Sequence, residues 1–154
     1  MKLVGSVQLN RTGRPEDVYC CYRPKADQLL HEVLVTGELI RFPFAEVARG
    51  KNVDQVLRPD FTLCLDDFSI HGELDRATEG YRQARDRMHV YTERREFVLW
   101  VAPTVARMEG LRKRAACIRS HALFKVVGES TLLDFHGDTL PVESLSDFLP
   151  RAGT

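Results

Sequence analysis

The amino-acid sequence predicts an α/β domain in which helices flank a mixed central sheet. Short runs of alternating or continuous apolar residues, typical of strands, are separated by longer runs whose apolar residues recur every three or four positions, typical of helices. The 154 residues are 44% hydrophobic, which is enough to build the core of one ordinary domain. Lys plus Arg and Asp plus Glu number 22 each, so the composition excludes a uniformly basic DNA-coating protein and an acidic disordered tail.

The N-terminal part, residues 1–24, differs from the rest of the chain in having only short strand-like runs. Residues 7–9 and 18–22 predict strands, and the basic run 11–15, which contains Gly and Pro, predicts a turn between them. Residues 25–154 contain no repeat and no low-complexity linker, so we expect them to form a single domain.

The order of helices and strands in the rest of the chain predicts the topology of the sheet. Pro24 opens the first helix, and Leu30, Val33 and Leu34 supply part of its apolar face. Three strands that meander, followed by strands reached through helices, predict antiparallel and parallel neighbours in one sheet. The predicted elements are a helix over 25–40, strands over 53–57, 61–65 and 68–74, a helix over 78–94, a strand over 97–101, a helix over 104–118, a strand over 123–127, a hairpin with strands over 132–135 and 139–142, and a closing helix over 143–149.

Three acidic residues are predicted to meet at one end of this sheet. Asp60 opens one strand, and Glu73 and Asp75 lie two residues apart near the end of the next, so these two share a face. A turn at 66–67 would make the two strands antiparallel neighbours and bring Asp60 close to Glu73. Carboxylates held together repel one another, and a hard divalent cation with oxygen ligands removes that repulsion. A solvated polar edge is the alternative interpretation.

Two short runs around these acids resemble the signature of the PD-(D/E)XK nuclease superfamily, which is Pro-Asp, a short hairpin and then Glu-x-Lys. The runs are Arg58-Pro59-Asp60 and Glu73-Leu74-Asp75-Arg76-Ala77-Thr78. Together with His31, Tyr91 and the strand end Ala102-Pro103-Thr104, they are similar to the plasmid replication-relaxation family. The similarity extends over residues 10–116 of the chain.

The resemblance implies a PD-(D/E)XK nuclease-like core and a metal-dependent, endonuclease-like action on DNA. It also implies a link to plasmid or mobile-element replication or mobilisation. In such a site Asp60 and Glu73 bind Mg²⁺ or Mn²⁺, with the backbone carbonyl of Leu74 as a further ligand. Asp60, Glu73 and Asp75 are then the catalytic residues.

The resemblance also concerns residues outside the acidic cluster. A glutamate of the first helix, Glu32 or Glu38, is implied as a further metal ligand, and the sequence does not choose between them. His71 shares a strand face with Glu73 and is a candidate for the same site. Residues 1–24 resemble the end of a winged helix.

Asp75 occupies the position where the superfamily usually has a lysine. One explanation is that Asp75 acts as a general base or holds a second ion. Another is that a cation reaches the site from the following helix, where Arg82 and Arg85 lie one to two turns after Arg76. The third is that the nuclease site has decayed and the chain is a catalytically inactive DNA-binding or protein-interaction module.

Basic residues are concentrated after the acidic cluster. Residues 76–125 contain twelve Lys or Arg and five Asp or Glu. Because Lys and Arg hold the phosphate backbone, we expect DNA to contact this part of the chain, and a solvated helix face is the alternative. The predicted DNA-binding residues are Arg76, Arg82, Arg85, Arg112, Lys113 and Arg114.

The sequence also bears on partners and compartment. Besides DNA, we expect a second copy of the chain or a replication or mobilisation protein as partner. No apolar run approaches the ~20 residues that span a bilayer, and the N-terminus does not resemble a secretory signal, so no membrane partner is expected. The four cysteines lack metal-ligand spacing, which predicts reduced thiols and a cytoplasmic location.

Overall fold

The centre of the fold is a seven-stranded mixed sheet with one helix on one face and two helices on the other. A separate antiparallel sheet joins β1 (Lys2–Val7) and β2 (Glu16–Cys20). The computed structural model describes residues 2–7, 14, 16–20, 25–49, 56–66, 68–118, 120 and 122–145.

The central sheet places its strands in the same order as the chain. They are β3 (Glu46–Arg49), β4 (Phe61–Cys64), β5 (Ser69–Leu74), β6 (Phe97–Ala102), β7 (Leu123–Val126), β8 (Thr131–Leu133) and β9 (Thr139–Pro141). Strand β6 is parallel to both of its neighbours, β5 and β7, whereas the other neighbouring pairs are antiparallel. The prediction of a mixed sheet is therefore confirmed.

Three helices cover the sheet: α1 (Leu29–Leu39), α2 (Tyr81–Glu93) and α3 (Val105–Cys117). Helix α2 connects β5 to β6 and α3 connects β6 to β7, and the two steps go in the same direction across the sheet. Because crossovers between parallel strands are right-handed, both helices lie on the same face. Helix α1 covers the opposite face, where its Val35 is fully buried in the core.

Strand β6 is buried on both faces, which explains its continuous apolar run. Leu99 and Val101 join the core under α1, whereas Val98 and Trp100 join the core under α2 and α3. A strand with a helix layer on each side needs apolar residues at every position, so it shows no alternation in its sequence.

The three long helices were predicted at the right places. The helix predicted over 25–40 is α1, preceded by a 3₁₀ turn at Ala26–Gln28. The helices predicted over 78–94 and 104–118 are α2 and α3. Thr104 caps α3, since its Oγ1 accepts a hydrogen bond from the Arg107 amide at 3.2 Å.

The strand prediction over 53–57 is wrong for its last two residues. Val56 and Leu57 lie in a loop, and residues 53–55 lie outside the described part of the chain. The first strand of the meander is instead β3, which pairs with β4. Its four residues are mostly exposed at the edge of the sheet, so no apolar alternation marks them.

Both ends of the chain are only partly described. Strands β1 and β2 begin earlier than the predicted strands, and residues 8–9 and 21–22 lie outside the described part. A single 3₁₀ turn, Val142–Ser144, occupies the start of the predicted closing helix. No helix within the described residues is long and apolar enough to cross a bilayer.

Candidate active site

Asp60 is fixed at the start of β4 by hydrogen bonds to two other elements. Its amide donates to the Gly72 carbonyl at 2.9 Å, which extends the pairing of β4 with β5 by one residue. Its carboxylate accepts from the Leu74 amide at 2.7 Å through Oδ2, and Oδ1 lies 2.9 Å from Nε2 of His31 on α1. Asp60 therefore joins the open end of the β4–β5 hairpin to α1.

Glu73 lies next to Asp60 on the neighbouring strand and is held by two side chains of α2. The register of the two strands ends at the pair Phe61 and Gly72, which Asp60 precedes and Glu73 follows in the chain. Tyr91 donates its hydroxyl to Glu73 Oε1 at 2.6 Å, and Arg87 donates Nη2 to Oε2. Glu73 is 4% exposed, and the arginine that pairs with it is partly open to solvent, with 41% of the Arg87 side chain exposed.

The phenol of Tyr91 is the donor in this arrangement at every ordinary pH. Tyr91 is fully buried between α2 and the sheet. Burial raises its pKa well above the ordinary value of 10.0, with smaller contributions from Asp60 and Glu96, while Arg87 acts in the opposite direction. The hydroxyl therefore stays protonated and hydrogen-bonded to Glu73.

Asp75 is bound by an arginine of α3. Arg107 donates Nε to Asp75 Oδ2 at 2.5 Å and Nη2 to Oδ1 at 3.1 Å, and the same Oδ1 accepts from the Ala77 amide at 2.9 Å. The hydrogen bond to Asp75 raises the pKa of Arg107. The Arg107 guanidinium also stacks on the Tyr81 ring, 4.3 Å from its centroid. Asp75 thus ties α3 to the end of β5.

These acids line one cavity of about 470 Å³ at the end of the sheet. The structure brings the predicted residues Asp60, Glu73, Leu74, Asp75 and Arg76 to this cavity. Its other lining residues are Gln28, His31, Val56, Leu57, Arg58, Thr78, Glu79, Arg87, Val90 and Trp100.

Carboxylate oxygens are the ligands that a hard divalent cation prefers, and the cavity lining offers those of Asp60 and Glu73. Asp60 precedes and Glu73 follows the last residue pair of β4 and β5, and both line the same cavity. Among the described residues, no three His, Cys, Asp or Glu side chains form a group able to hold a metal ion. Mg²⁺ commonly binds through one or two carboxylates and keeps several waters, so two carboxylates fit this ion.

The cation that reaches the acids from α2 is Arg87, whereas sequence reasoning named Arg82 and Arg85. Both of these are exposed on α2 and do not line the cavity, and Arg85 pairs with Asp86. Arg87 also donates Nη1 to both Glu79 oxygens at 3.0 Å. One signal was available, since Arg87 precedes Tyr91 by four residues and shares its helix face.

The basic residues of α3 are largely engaged within the protein. Arg112 pairs with Glu109 at 2.8 Å and donates to the Phe135 carbonyl at 3.2 Å. Arg114 donates to the Gly110 carbonyl and stacks on the Tyr81 ring. Lys113 is exposed.

The glutamates of α1 face away from the cavity, and His31 faces it instead. Glu32 pairs with Arg49 on the surface, at 2.6 Å. Glu38 is buried against Lys125 of β7. Neither lines the cavity, so His31 is the residue through which α1 contacts the acids.

His71 lies outside the cavity lining, although it shares a face with Glu73. Its Nδ1 is 3.0 Å from Thr62 Oγ1, and its Nε2 is 3.3 Å from Glu96 Oε2. Its ring lies beside the Tyr91 ring, with centroids 5.9 Å apart. His71 is thus a buried neighbour of the residues that hold Glu73.

Comparison with known proteins adds no family to this geometry. Neither the protein-family models nor the curated proteins gave a match to the chain.

Proposed function

We propose that this chain is a metal-dependent, endonuclease-like protein that acts on DNA through a PD-(D/E)XK-like core. The supporting observation is that Asp60 and Glu73, at the open end of one β-hairpin, line a single cavity with Arg87 beside them. The link to plasmid or mobile-element replication or mobilisation is part of this proposal and rests on the resemblance of the two sequence runs.

In this proposal, different residues at the cavity have different roles in phosphodiester cleavage. Asp60 and Glu73 would hold the Mg²⁺ or Mn²⁺, and His31 and the Leu74 amide keep the Asp60 carboxylate in place. The bound ion supplies a water of lowered pKa and offsets charge on the phosphate. Arg87 is the cation nearest to Glu73 and would stabilise negative charge on the phosphate, as the missing lysine would.

Asp75 has a different role in this proposal from the one its position in the motif implied. Its carboxylate is bound by Arg107 and by the Ala77 amide, and its side chain is 5% exposed. We assign Asp75 the task of fixing α3 and the chain after β5, so that Arg76 and Arg87 stay at the cavity.

A catalytically inactive DNA-binding or protein-interaction module is the second candidate. The observation that favours it is that Glu73 and Asp75 each have an arginine partner already, Arg87 and Arg107. Such pairs satisfy the acids without a metal ion, and a fold can keep them for stability alone.

The discriminating experiment is the nicking of supercoiled plasmid with Mg²⁺, Mn²⁺ or a chelator. We expect metal-dependent nicking by the wild type and none by Glu73→Gln. The control is Glu93→Gln, which alters an exposed glutamate of α2 that pairs with His89, and which should nick like the wild type. Absence of nicking in the wild type, with the fold confirmed by circular dichroism and no heat of Mg²⁺ or Mn²⁺ binding by calorimetry, would favour the inactive module.

Arg87 can be tested separately from the acids. Arg87→Met should lower the nicking rate by about 10²-fold, the usual effect of removing one group that stabilises transition-state charge. The matched control is Arg49→Met, which breaks an arginine–glutamate pair outside the cavity. Equal rates for Arg87→Met and the wild type would remove Arg87 from the mechanism.

A further inference from the structure

The cavity has an apolar wall beside its acidic floor. Leu57 and Trp100 are buried, and Val90 of α2 lies beside them. Val56 belongs to the same wall at the mouth of the cavity and is 64% exposed. A phosphate backbone alone needs cations and a metal ion, so this wall requires another explanation.

The volume of the cavity suits one nucleotide and not a paired duplex. At about 470 Å³ it lies within the range of ~300–1,000 Å³ that is typical of small-ligand sites. Enzymes that act on an unpaired nucleotide surround it with apolar and aromatic side chains, which contact the face of the base. The apolar wall therefore suits the sugar and the base of the nucleotide. The acidic side, where we propose that a metal ion binds, suits the phosphate.

We propose that the cavity accepts an unpaired nucleotide next to the phosphodiester to be cut, so that the substrate is single-stranded or locally melted DNA. This inference rests on the proposed function and narrows its substrate class. The phosphates on either side of the nucleotide would be held by Arg58 and Arg76, which are exposed, line the cavity and make no ion pair within the described residues.

Trp100 is buried at the cavity lining, and its indole has an unusual hydrogen-bond status. Its indole Nε1 is buried and donates to no acceptor within the described part of the chain, which is a costly arrangement. The Arg87 guanidinium lies over its ring, 5.2 Å from the centroid. Because the guanidinium covers a buried ring, a base that enters beside Arg87 would stack on the guanidinium and bring a hydrogen-bond acceptor to this side of the cavity.

The basic residues also favour a single strand over a duplex. A duplex requires a broad cationic face, and on α3 Arg112 and Arg114 are engaged with Glu109, the Phe135 carbonyl and Tyr81. Among the described residues that line the cavity, the arginines for which no ion pair is seen are Arg58 and Arg76. These two arginines can hold the phosphates of one strand at the cavity, but they do not form the broad cationic face that a duplex requires.

The test measures binding by the fluorescence of Trp100, the only tryptophan in the chain. The probes are a single-stranded oligonucleotide of about 12 nucleotides, within the ~4–16 that single-strand sites cover, and the blunt duplex of the same sequence. Ca²⁺ replaces Mg²⁺ so that no cleavage occurs. We expect the single strand to bind about tenfold more tightly than the duplex and to change the Trp100 emission.

The apolar wall is tested by Val56→Ser, with Val105→Ser as the matched control. Both valines are exposed to a similar degree, 64% and 62%, but Val105 lies on α3 and does not line the cavity. Val56→Ser should weaken single-strand binding several-fold and leave duplex binding unchanged, whereas Val105→Ser should change neither. Equal losses for both probes, or no loss, would overturn the role of this wall.

The outcomes separate the substrate class from the cleavage activity. If the duplex binds as tightly as the single strand while Glu73-dependent plasmid nicking is present, the inference fails and the proposed function stands. If the single strand is preferred and the wild type cuts no DNA with any metal, the cleavage activity fails and the cavity remains a single-strand site. Failure of both probes to bind overturns the inference.

Discussion

At the residue scale, the informative position is Asp75. The motif suggests chemistry for it, because the superfamily has a lysine at this position. The structure instead shows an ion pair with Arg107 in which the two side chains are only 5% and 10% exposed. A pair of this kind fixes the relative position of β5 and α3, so its loss should be felt first in stability.

Asp75→Asn is therefore expected to lower the free energy of unfolding by about 3 kcal/mol, because it leaves the Arg107 charge buried without its partner. The measurement is urea denaturation followed by Trp100 fluorescence. Asp86→Asn is the control, since Asp86 pairs with Arg85 on the surface, and it should change the free energy by less than about 0.5 kcal/mol. An unchanged urea midpoint for Asp75→Asn would contradict the structural role.

Asp75→Lys should also destabilise the fold, although it would recreate the usual motif. The new ammonium would face the Arg107 guanidinium instead of a carboxylate, and like charges in a buried site repel. We expect a lower urea midpoint than that of Asp75→Asn and no gain in plasmid nicking. A stable Asp75→Lys variant with increased nicking would return Asp75 to the catalytic centre.

Tyr91 provides a test at alkaline pH. Burial raises its pKa, so its phenol should stay un-ionised above pH 10.0, and ultraviolet absorbance of tyrosinate measures this directly. A pKa that is higher in the folded state than the unfolded value of 10.0 stabilises the folded state below pH 10.0. This contribution is lost as the pH rises from 10.0 toward the folded pKa.

Tyr91→Phe removes the tyrosine whose pKa is raised. The free energy of unfolding should therefore fall less steeply above pH 10.0 in this variant than in the wild type. The variant also removes the hydrogen bond to Glu73, which should lower the free energy of unfolding by about 1–2 kcal/mol at neutral pH. If the ultraviolet titration shows that Tyr91 of the folded wild type ionises at pH 10.0, the side chain is more accessible to solvent than its burial indicates.

At the element scale, helix α1 is held against the sheet by a buried ion pair. Glu38 of α1 contacts Lys125 of β7, and both side chains are almost completely buried. Glu38 also accepts from the Gly128 amide at 2.7 Å. Burial lowers the pKa of Lys125, and Glu38 acts in the opposite direction. Because the same helix carries His31, this pair helps to position the residue that holds Asp60.

Lys125→Met should lower the free energy of unfolding by about 3 kcal/mol, because the buried Glu38 loses its Lys125 partner and keeps only the Gly128 amide and the more distant Arg41. The double variant Lys125→Met/Glu38→Gln should recover part of this loss, since neither residue 38 nor residue 125 then carries a buried charge and the glutamine side chain at residue 38 can still accept from the Gly128 amide. Urea denaturation measures both, with Arg49→Met as a surface-pair control. A double variant that is no more stable than the single one would show that charge is not the cause.

The helices could be predicted from the sequence because their signals are local. Met88 and Tyr91 repeat at helical spacing, and Thr104 marks the start of α3 with a side chain that caps it. The edge strand β3 could not be predicted, because its exposed residues have no apolar pattern. Its position depends on pairing with β4, which is a contact between distant parts of the chain.

The candidate site was predictable to the extent that it lies on one hairpin. Asp60 and Glu73 come from adjacent strands, so their closeness follows from a local turn and the register of the strands. Arg107 could not be assigned to Asp75 in this way. Thirty-two residues separate the two, and only the packing of α3 on the sheet brings them together.

At the scale of the whole molecule, the formal charge is zero but the charges are unevenly placed. Asp60, Glu73 and Asp75 line the cavity, and the exposed residues Arg58 and Arg76 line it as well. Most α3 arginines are used inside the protein. The DNA contact should therefore be centred on the cavity and not on α3.

The salt dependence of DNA binding tests which basic residues contact the phosphates. Each phosphate contact with a single strand contributes about 0.7 to the slope of log affinity against log salt. Arg58→Gln/Arg76→Gln should therefore reduce the slope by about 1.4, whereas Lys113→Gln should change it less and Arg49→Gln should leave it unchanged. A larger effect from Lys113→Gln would move the DNA contact to α3.

The close contact between Phe61 and Gly72 has a consequence for how this protein can vary. The Phe61 ring covers Gly72, and a methyl group at residue 72 would overlap it. Asp60 directly precedes Phe61, and Glu73 directly follows Gly72. A change at residue 72 that shifts the ring thus shifts one acid on each strand, and the distance between the acids changes with it. Substitutions at residues 61 and 72 are therefore constrained together with the two acids. Homologues that keep both acids should keep glycine at position 72, or combine a larger residue there with a smaller one at position 61.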